Sequence, residues 1–264
     1  MPEGDTVFRA ATLLRGALAG KPLTRCDIRV PRYATVDLTG TVVEEVLARG
    51  KHLLIRAGAH TVHTHLKMEG VWDVHPPGTR WRRQGYHARI VLAVADAEAV
   101  GFDLGTVEVL DRDREAEAVG HLGPDLLGPD WDPAVAAANL ARDPGRPVGL
   151  ALLDQRVMAG VGNVYRCELC FLRGVHPATP VADAGDPAAW VDLAHRLLMF
   201  NRDRVSRITT GDRRPGRGTW VYGRAGKPCR RCGTVIRTGM LGSAGDPDRK
   251  IDWCPHCQPR SEDG

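Results

Sequence analysis

The chain has 264 residues, a net charge of +4 and a hydrophobic content of 43%, which suit two domains with buried cores and exclude global disorder. No apolar run reaches the length of a membrane span, and the acidic, soon amphipathic N-terminus is unlike a signal peptide, so we expect a cytoplasmic protein. The charge is uneven, because residues 201–264 carry 14 Lys and Arg against 7 Asp and Glu. This basic segment suits a polyanionic partner, although a general bias towards arginine is the alternative.

The chain begins with Met1-Pro2-Glu3-Gly4. Met aminopeptidases remove an initiator Met that is followed by a small residue such as Pro, so we expect the mature chain to begin at Pro2 with a free secondary amine. An α-amino group has a pKa of about 8 and is a usable nucleophile toward an electrophilic carbon. Glu3 supplies a carboxyl group next to it. A start without catalytic meaning is the alternative, since many proteins begin with Met-Pro.

The segment Asp5–Leu18 is predicted to be a helix, because apolar residues recur at helical spacing and Gly20 follows as a stop. From Leu23 to about Asp111 the pattern changes to short strands rich in Val, Ile, Thr and Leu. The predicted strands include Thr41–Val46, His52–Arg56, Thr61–Leu66, Gly70–Val74, Ala88–Ala95 and Thr106–Leu110. Since no long helical pattern interrupts them, an antiparallel sandwich or barrel is favoured over a parallel sheet.

Residues 121–130 are rich in Gly and Pro and are interpreted as a linker, after which the pattern becomes helical. The predicted helices are Asp132–Arg142, Pro147–Ala159, Val164–Leu172 and Pro187–Arg204. A loop rich in Gly, Arg and Pro follows at Gly211–Gly218.

Polar segments in the strand region contain candidate binding residues. Lys51 lies where a strand begins, and a solvated turn lysine is the alternative interpretation. Met68 lies in a turn flanked by polar residues, where an exposed apolar side chain can wedge into a base stack; an ordinary core methionine is the alternative. His63 and His65 alternate along a strand and face one side, but no third ligand of a suitable type is nearby, so we do not interpret them as a metal site.

The segment Leu152–Leu169 predicts a helix, a tight turn at Gly160–Gly162 and a second helix that begins at Asn163. Glycine permits close backbone approach, and the Asn163 side chain can cap the second helix. The N-terminus of that helix can also bind a phosphate. A well-capped helical hairpin without DNA binding is the alternative.

The seven cysteines are odd in number and no secretion signal is present, which argues against a disulfide framework. Cys229-Arg-Arg-Cys232 and Cys254-Pro-His-Cys257 place two thiolates on each of two tight turns. Together they complete a closed tetrahedral S₄ site, the geometry of structural zinc, with a β-hairpin between the pairs; redox-active pairs are the alternative. Cys167-Glu-Leu-Cys170 lies inside a predicted helix, where we expect burial instead of metal binding.

Taken together, these segments resemble the bacterial formamidopyrimidine-DNA glycosylase/endonuclease VIII family over nearly the whole chain and in the same order. Pro2-Glu3-Gly4 is similar to the family's catalytic N-terminus, and Gly50-Lys51-His52 is similar to its lysine turn. The Leu152–Glu168 segment resembles its helix-two-turn-helix. The stretch from Val221 to Thr234 resembles the beginning of its zinc finger, and Arg249 lies where the family has its finger-tip arginine.

The resemblance implies an α+β multidomain fold with DNA in a cleft between domains. It implies an N-terminal helix and antiparallel β-sandwich in residues 2–120, a helical domain with the helix-two-turn-helix in residues 121–215, and a β-hairpin zinc finger in residues 216–264. One structural Zn²⁺ would be held by Cys229, Cys232, Cys254 and Cys257. The implied partner is damaged DNA, either as a duplex or in single-stranded or bubble form. The protein is expected to be a monomer and to be associated with the nucleoid.

The resemblance also implies a bifunctional DNA glycosylase and AP lyase of base excision repair, which flips the damaged nucleotide out of the duplex. The Pro2 amine would attack C1′ of the deoxyribose, form a Schiff base and release the base, and β- and δ-elimination would then cleave the strand. The implied site residues are Pro2 (nucleophile), Glu3 (proton donor), Lys51 and Arg249 (elimination and phosphate contacts), and Asn163, Gly162 and Met68 (DNA contacts).

The start Pro-Glu-Gly-Asp-Thr is more similar to the endonuclease VIII branch, which implies a preference for oxidised pyrimidines. The chain departs from the family at Thr6, where a Glu is usual, so a supporting acid is missing there. The segment Asp103–Val109 lacks the Arg-Arg-Phe of the purine-specific branch, and the loop Gly211–Gly218 is short for that branch's lesion-capping loop. An oxidised-purine glycosylase of the same fold and an inactive zinc-ribbon DNA-binding protein are the alternatives.

Overall fold

The computed structural model describes residues 2–243 and 246–260, and it divides into two compact units, residues 1–121 and 122–264. The boundary between the units falls at the start of the linker rich in Gly and Pro. The further division of the second unit between residues 215 and 216 stays a prediction. In the described part of the chain, no helix combines the length and the apolar content needed to cross a membrane.

The first unit combines a long helix with two four-stranded antiparallel sheets. Helix α1 covers Gly4–Leu18 and a short helix α2 covers Glu115–Val119. The strands are β1 (Arg25–Ile28), β2 (Val43–Arg49), β3 (His52–Ala57), β4 (His60–His65), β5 (Val71–His75), β6 (Ala88–Ala93), β7 (Glu98–Phe102) and β8 (Thr106–Asp111). One sheet has the order β1-β6-β7-β5 and the other has the order β2-β3-β4-β8.

One apolar core lies between these sheets and against α1. Leu14 of α1, Leu53 and Ile55 of β3, and Ile90 of β6 are all fully buried in it. Because both sheets contribute inward-facing side chains to the same core, the unit is a sandwich, and the predicted antiparallel sandwich is confirmed.

Two strands of the predicted strand region were not among the segments named in the sequence analysis. Strand β7 is central, with all five residues buried, but its sequence begins with Glu98 and contains Gly101, which are residue types that strands disfavour. Glu98 is tolerated there because its carboxylate accepts a 2.6 Å hydrogen bond from Trp81 Nε1. Strand β1 is a short edge strand with two charged residues and lacks an apolar pattern.

The second unit contains four helices and a β-hairpin. The helices are α3 (Pro133–Ala141), α4 (Val148–Ala151), α5 (Asn163–Arg173) and α6 (Pro187–Asn201), and the hairpin strands are β9 (Arg237–Ser243) and β10 (Asp246–Trp253). Helices α3 and α6 begin with Pro and are preceded by Asp132 and Asp186, whose side chains accept backbone N–H groups of the first turn. The hairpin predicted between the two cysteine pairs is confirmed.

The helix predicted over Pro147–Ala159 is wrong beyond Ala151, where α4 ends. Polar side chains in the following segment satisfy backbone groups that a helix would otherwise pair. Gln155 donates from Nε2 to the carbonyl groups of Leu153 and Val161, and its Oε1 accepts the N–H of Gly160. Such local hydrogen bonds compete with helix formation and favour a folded turn.

The outer face of the sheet β2-β3-β4-β8 carries a hydrogen-bonded chain of two histidines. His63 Nδ1 lies 2.9 Å from Glu108 Oε2, and His63 Nε2 lies 2.8 Å from His52 Nδ1. Since the carboxylate accepts the proton of His63 Nδ1, His63 Nε2 is left to accept the N–H of His52. This arrangement assigns one tautomer to each neutral ring.

The neighbours of His52 keep it uncharged. The ring centroids of His65 and His121 lie 5.2 and 6.3 Å from that of His52. Burial lowers the pKa of His52 to about 3, and repulsion from the protonated forms of His63, His65 and His121 and from Lys67 adds to the effect. Burial also lowers the pKa of His65 to about 4, with Lys67, Lys51 and His63 contributing.

We expect the folded protein to lose stability as the pH falls from about 6.5, the ordinary histidine pKa. In the unfolded chain, His52 and His65 take up protons near pH 6.5. In the folded protein they do so only near their lowered pKa values of about 3 and 4. Because the unfolded chain binds more protons between these values, acid favours unfolding. The expected loss is about 1 kcal/mol per pH unit for each histidine. Urea unfolding between about pH 7 and pH 4.5 measures it.

His52→Gln should flatten this pH dependence, since the variant removes one of the two groups. His60→Gln is the control, because His60 lies on the same sheet with a side chain 42% exposed. If the His52→Gln variant loses stability with falling pH as steeply as the wild type, the assignment is wrong.

Candidate functional site

Pro2 and Glu3 precede α1 and are held by the first turn of that helix. The backbone carbonyl of Glu3 accepts the N–H groups of Thr6 at 2.9 Å and Val7 at 3.1 Å. The Glu3 residue is fully buried, whereas Pro2 is partly exposed. Met1 lies outside the described residues. An accessible amine at residue 2 next to a buried carboxyl group can combine nucleophilic attack with proton transfer.

A second buried carboxyl group belongs to Asp5, which is only 4% exposed. Its Oδ1 accepts the backbone N–H of Thr6 at 2.7 Å and the Thr6 hydroxyl at 3.2 Å. Thr6 occupies the position at which the family usually has a supporting acid. The structure shows that an acid lies one residue earlier, with Thr6 hydrogen-bonded to it. The sequence did contain a signal for this acid, because Asp5 lies in the first turn of a predicted helix near Pro2.

Lys51 lies in the tight turn that joins β2 to β3, as predicted from its position at the start of a strand. Arg49 pairs with His52 across this turn, so the turn contains only Gly50 and Lys51. Gly50 has a φ of +57°, which glycine adopts without strain. The hairpin therefore holds Lys51 at the end of a sheet whose other residues are fixed by pairing.

Met68 is 61% exposed in the turn between β4 and β5, so the alternative of a core methionine is excluded. The turn is tight, because Gly70 N donates to the Leu66 carbonyl at 2.9 Å and Lys67 has a φ of +52°. A side chain at position 70 would place its Cβ 2.5 Å from the Leu66 carbonyl oxygen, so glycine is required there. A constrained turn thus presents an apolar side chain to solvent.

Helix α5 begins at Asn163 after a turn in which Gly160 has a φ of +118°, in agreement with the predicted glycine turn and second helix. The predicted capping role of Asn163 is wrong, because Gly162 is the N-cap residue and Asn163 is the first residue of the helix. The Asn163 side chain instead donates from Nδ2 to the backbone carbonyl of Lys250 on β10 at 2.9 Å. The Asn163 side chain is therefore bonded to a partner far along the chain and not to the backbone of its own helix.

Asn163 and Arg249 are therefore brought close together within the second unit. Arg249 is exposed on β10 opposite Leu241 and directly precedes Lys250, whose carbonyl Asn163 contacts. Pro2, Glu3, Lys51 and Met68 all lie in the first unit.

Glu168 of α5 is fully buried and holds the segment that leads to the first cysteine pair. Its carboxylate accepts backbone N–H groups of Trp220 at 2.7 Å and of Val221 and Tyr222 at 2.9 Å each, as well as the Thr209 hydroxyl. Burial raises the pKa of this carboxyl group, and the four hydrogen bonds oppose the shift. Glu168 was not predicted from the sequence, because none of its partners is nearby in the chain.

The four cysteines of the two CxxC pairs converge on one point, as predicted. Their sulfur atoms all lie within 4.8 Å of one another. Among the described residues, this is the cluster of potential metal ligands whose geometry could hold a metal ion. Cys232 Sγ lies 3.5 Å from the sulfur atoms of both Cys254 and Cys257, and Cys229 Sγ lies 4.0 Å from that of Cys257.

Cys167 and Cys170 are fully buried in α5, as expected. Burial raises the pKa of the Cys167 thiol to about 11 and also raises that of Cys170. Both side chains are therefore protonated, inert thiols that pack as small apolar groups.

Comparison with known proteins agrees with this arrangement. Residues 1–104 match the formamidopyrimidine-DNA glycosylase N-terminal domain, and residues 122–189 match the formamidopyrimidine-DNA glycosylase H2TH domain. Among solved structures, a Lactococcus lactis Fpg in complex with DNA containing an abasic site has a TM-score of 0.79 at 23% identity, covering 98% of this chain and 100% of that one. This likeness shows the fold.

Two curated relatives are similar over their full lengths. The DNA-(apurinic or apyrimidinic site) lyase Nei2 of Mycolicibacterium smegmatis is 59% identical over 261 residues, covering 99% of this chain and 100% of the relative. Endonuclease 8 2 of Mycobacterium tuberculosis is 55% identical over 262 residues, covering 98% and 100%. With this fold, these matched domains and these full-length relatives, the chain belongs to the formamidopyrimidine-DNA glycosylase/endonuclease VIII family, on its endonuclease VIII side.

Proposed function

We propose that the protein is a bifunctional DNA glycosylase and AP lyase of base excision repair, which removes oxidised bases and then cleaves the strand. The observation that carries the proposal is the partly exposed Pro2 beside the buried Glu3, in a chain 59% identical to a DNA-(apurinic or apyrimidinic site) lyase. It acts on damaged DNA as a monomer in the bacterial cytoplasm, associated with the nucleoid.

In the proposed reaction the Pro2 nitrogen attacks C1′ of the flipped deoxyribose and displaces the base. Glu3 donates a proton to the ring oxygen, so that the sugar opens and a Schiff base forms between Pro2 and C1′. The cationic Schiff base acidifies the C2′ proton, and its loss expels the 3′ phosphate by β-elimination. A second elimination expels the 5′ phosphate. Burial of Glu3 next to Pro2 supports this role, because it restricts the carboxyl group to positions beside the amine.

Phosphate contacts are assigned to Lys51, Asn163 and Arg249, which position the strand without reading its sequence. Lys51 and Arg249 also assist the two eliminations by stabilising the leaving phosphates. Gly162 lets the DNA backbone approach the N-terminus of α5, where the positive end of the helix dipole favours an anion. Each of these residues lies on a turn, a strand or a helix end held by backbone hydrogen bonds, which supports a positioning role.

We assign one structural Zn²⁺ to Cys229, Cys232, Cys254 and Cys257. Four thiolates about 2.3 Å from zinc form a tetrahedron with edges of about 3.8 Å. The sulfur separations of 3.5 to 4.0 Å given above fit these edges. A set of four protein ligands leaves no position for water, so the metal holds the hairpin in place and takes no part in the chemistry.

Oxidised pyrimidines are the proposed substrates. The exposure of Met68 supports its use as a wedge that replaces the flipped base in the stack. The loop at 211–218 is closed on itself, because Thr209 N donates to the Gly218 carbonyl at 2.7 Å and Thr210 Oγ1 donates to the Arg217 carbonyl at 2.7 Å. A short, internally bonded loop offers little surface for capping a large purine lesion.

Borohydride reduction should trap a covalent adduct between the protein and DNA containing an oxidised pyrimidine, because it reduces the Schiff base to a stable amine. A chain that retains an N-terminal tag should give less adduct by on the order of two orders of magnitude, since Pro2 then lacks a free amine. Cleavage of the tag to expose Pro2, checked by intact mass, should restore trapping. Absence of an adduct from a verified Pro2 terminus, with DNA binding retained, would show an inactive DNA-binding protein.

The branch assignment predicts that 5-hydroxyuracil and thymine glycol are excised faster than 8-oxoguanine. Single-turnover excision from matched duplexes carrying each lesion, with an abasic-site duplex as the lyase control, measures the ranking. Faster excision of 8-oxoguanine opposite C than of both pyrimidine lesions would assign the protein to the oxidised-purine alternative.

The metal assignment predicts one zinc per chain by elemental analysis. Cys254→Ala should lose the zinc and weaken DNA binding, because the hairpin that carries Arg249 is no longer held. Cys26→Ser, at a cysteine of the first unit, is the control and should retain both properties. The assignment would be wrong if the Cys254→Ala variant kept a full equivalent of zinc.

A further inference from the structure

Arg166 on α5 is a fully buried arginine that contacts both proposed phosphate-binding elements of the second unit. Its Nη2 donates to the backbone carbonyl of Lys250 at 2.9 Å and to Oδ1 of Asn163. Asn163 Nδ2 donates to the same Lys250 carbonyl at 2.9 Å. The three groups form a closed triangle that joins the first turn of α5 to β10, next to Arg249.

This triangle determines which way the Asn163 amide faces. The oxygen and nitrogen of an Asn amide are nearly the same size, so only their hydrogen bonds decide which of them points in a given direction. Arg166 can only donate, so it requires Oδ1 on its side. The amide nitrogen has two N–H bonds, and within the described residues only one of them is used, by the Lys250 carbonyl. The second N–H is therefore available for an external acceptor.

The burial of Arg166 is costly for the fold. Its Nε and Nη1 have no hydrogen-bond partner in the described part of the chain. A buried cation that is incompletely hydrogen-bonded is unfavourable, and an apolar side chain of similar volume often stabilises such a position better. A purely structural role would therefore be better filled by Met or Leu, which points to a functional reason for the guanidinium.

We propose that Arg166 is a positioning residue for DNA binding, which presents the second N–H of Asn163 to a backbone phosphate. This inference rests on the proposed function. Loss of Arg166 removes one of the two hydrogen bonds that orient the amide, so that the orientation with the Asn163 oxygen towards the phosphate, which repels it, becomes populated. The buried positive charge also favours an anion at this point of the surface.

The test is a double-mutant cycle with Arg166→Met, Asn163→Ala and the double variant. The probe is a duplex containing tetrahydrofuran, an abasic-site analogue that cannot form a Schiff base, and the readout is its Kd at several salt concentrations. We expect each single variant to weaken binding by about tenfold, and the double variant to bind no more weakly than Asn163→Ala. Non-additivity of this kind arises only if Arg166 acts through Asn163.

Two further measurements separate positioning from folding. Arg166→Lys, which restores a single donor and the charge, should recover part of the affinity. On a cleavable duplex, Arg166→Met should raise KM while kcat stays within about twofold, because the chemistry is left intact. Arg173→Met is the control, since Arg173 lies on the same helix but stacks on Trp190, and this variant should bind like the wild type.

Zinc content and thermal unfolding of each variant confirm that it is folded, and Arg166→Gln replaces Arg166→Met in the cycle if the latter fails either check. Wild-type affinity in the Arg166 variant, or losses that multiply in the double variant, would overturn the proposal. Because the probe forms no covalent bond, the Kd values test Arg166 even if borohydride trapping fails, so the two hypotheses fail separately.

Discussion

The second unit depends on the buried polar side chains of α5. Nine of the eleven residues of this helix are buried, and among them Glu168 accepts three consecutive backbone N–H groups and a hydroxyl group. Without the carboxylate these N–H groups would be buried without partners, at a cost of about 1–3 kcal/mol each. The segment at 220–222 is therefore fixed to α5 before the chain reaches the first cysteine pair.

The same helix connects the metal-binding cysteines to the proposed phosphate-binding residues. Cys167 packs in one apolar cluster with Cys229 and Cys254, and one turn earlier the side chain of Asn163 binds the backbone of β10. A metal that closes the four cysteines therefore also fixes β10 relative to the N-terminus of α5. In the proposed function, a metal without an open coordination position therefore affects DNA binding by determining where an arginine on the hairpin lies.

The sequence predicted the features that depend on local patterns and missed those that depend on distant partners. The sandwich, the glycine turn, the hairpin and the four cysteines follow from periodicity and spacing, and the structure agrees with each. The acceptor of Asn163 and the partners of Glu168 do not follow, because their hydrogen bonds join residues whose proximity only the folded chain creates. The end of α4 was missed for another reason, because local hydrogen bonds of the Gln155 side chain override the helical pattern. For Asn163, local propensity predicted a helix cap, but the carbonyl of Lys250, 87 residues further along the chain, is the actual acceptor.

The proposed nucleophile at residue 2 requires an ordered N-terminus. Most active sites do not have this requirement, and chain termini are usually poorly ordered. Here the three residues after Pro2 are all buried, and the Glu3 carbonyl is tied to Thr6 and Val7 in the first turn of α1. Four apolar side chains of α1 are almost fully buried in the core of the sandwich: Val7, Ala11, Leu14 and Leu18. The amine is thus one residue away from a rigid helix, and the entropy of holding it near a bound sugar is lost during folding and not during the reaction. If Pro2 is the nucleophile, as proposed, catalysis depends on the core packing of α1 as well as on the identity of Pro2.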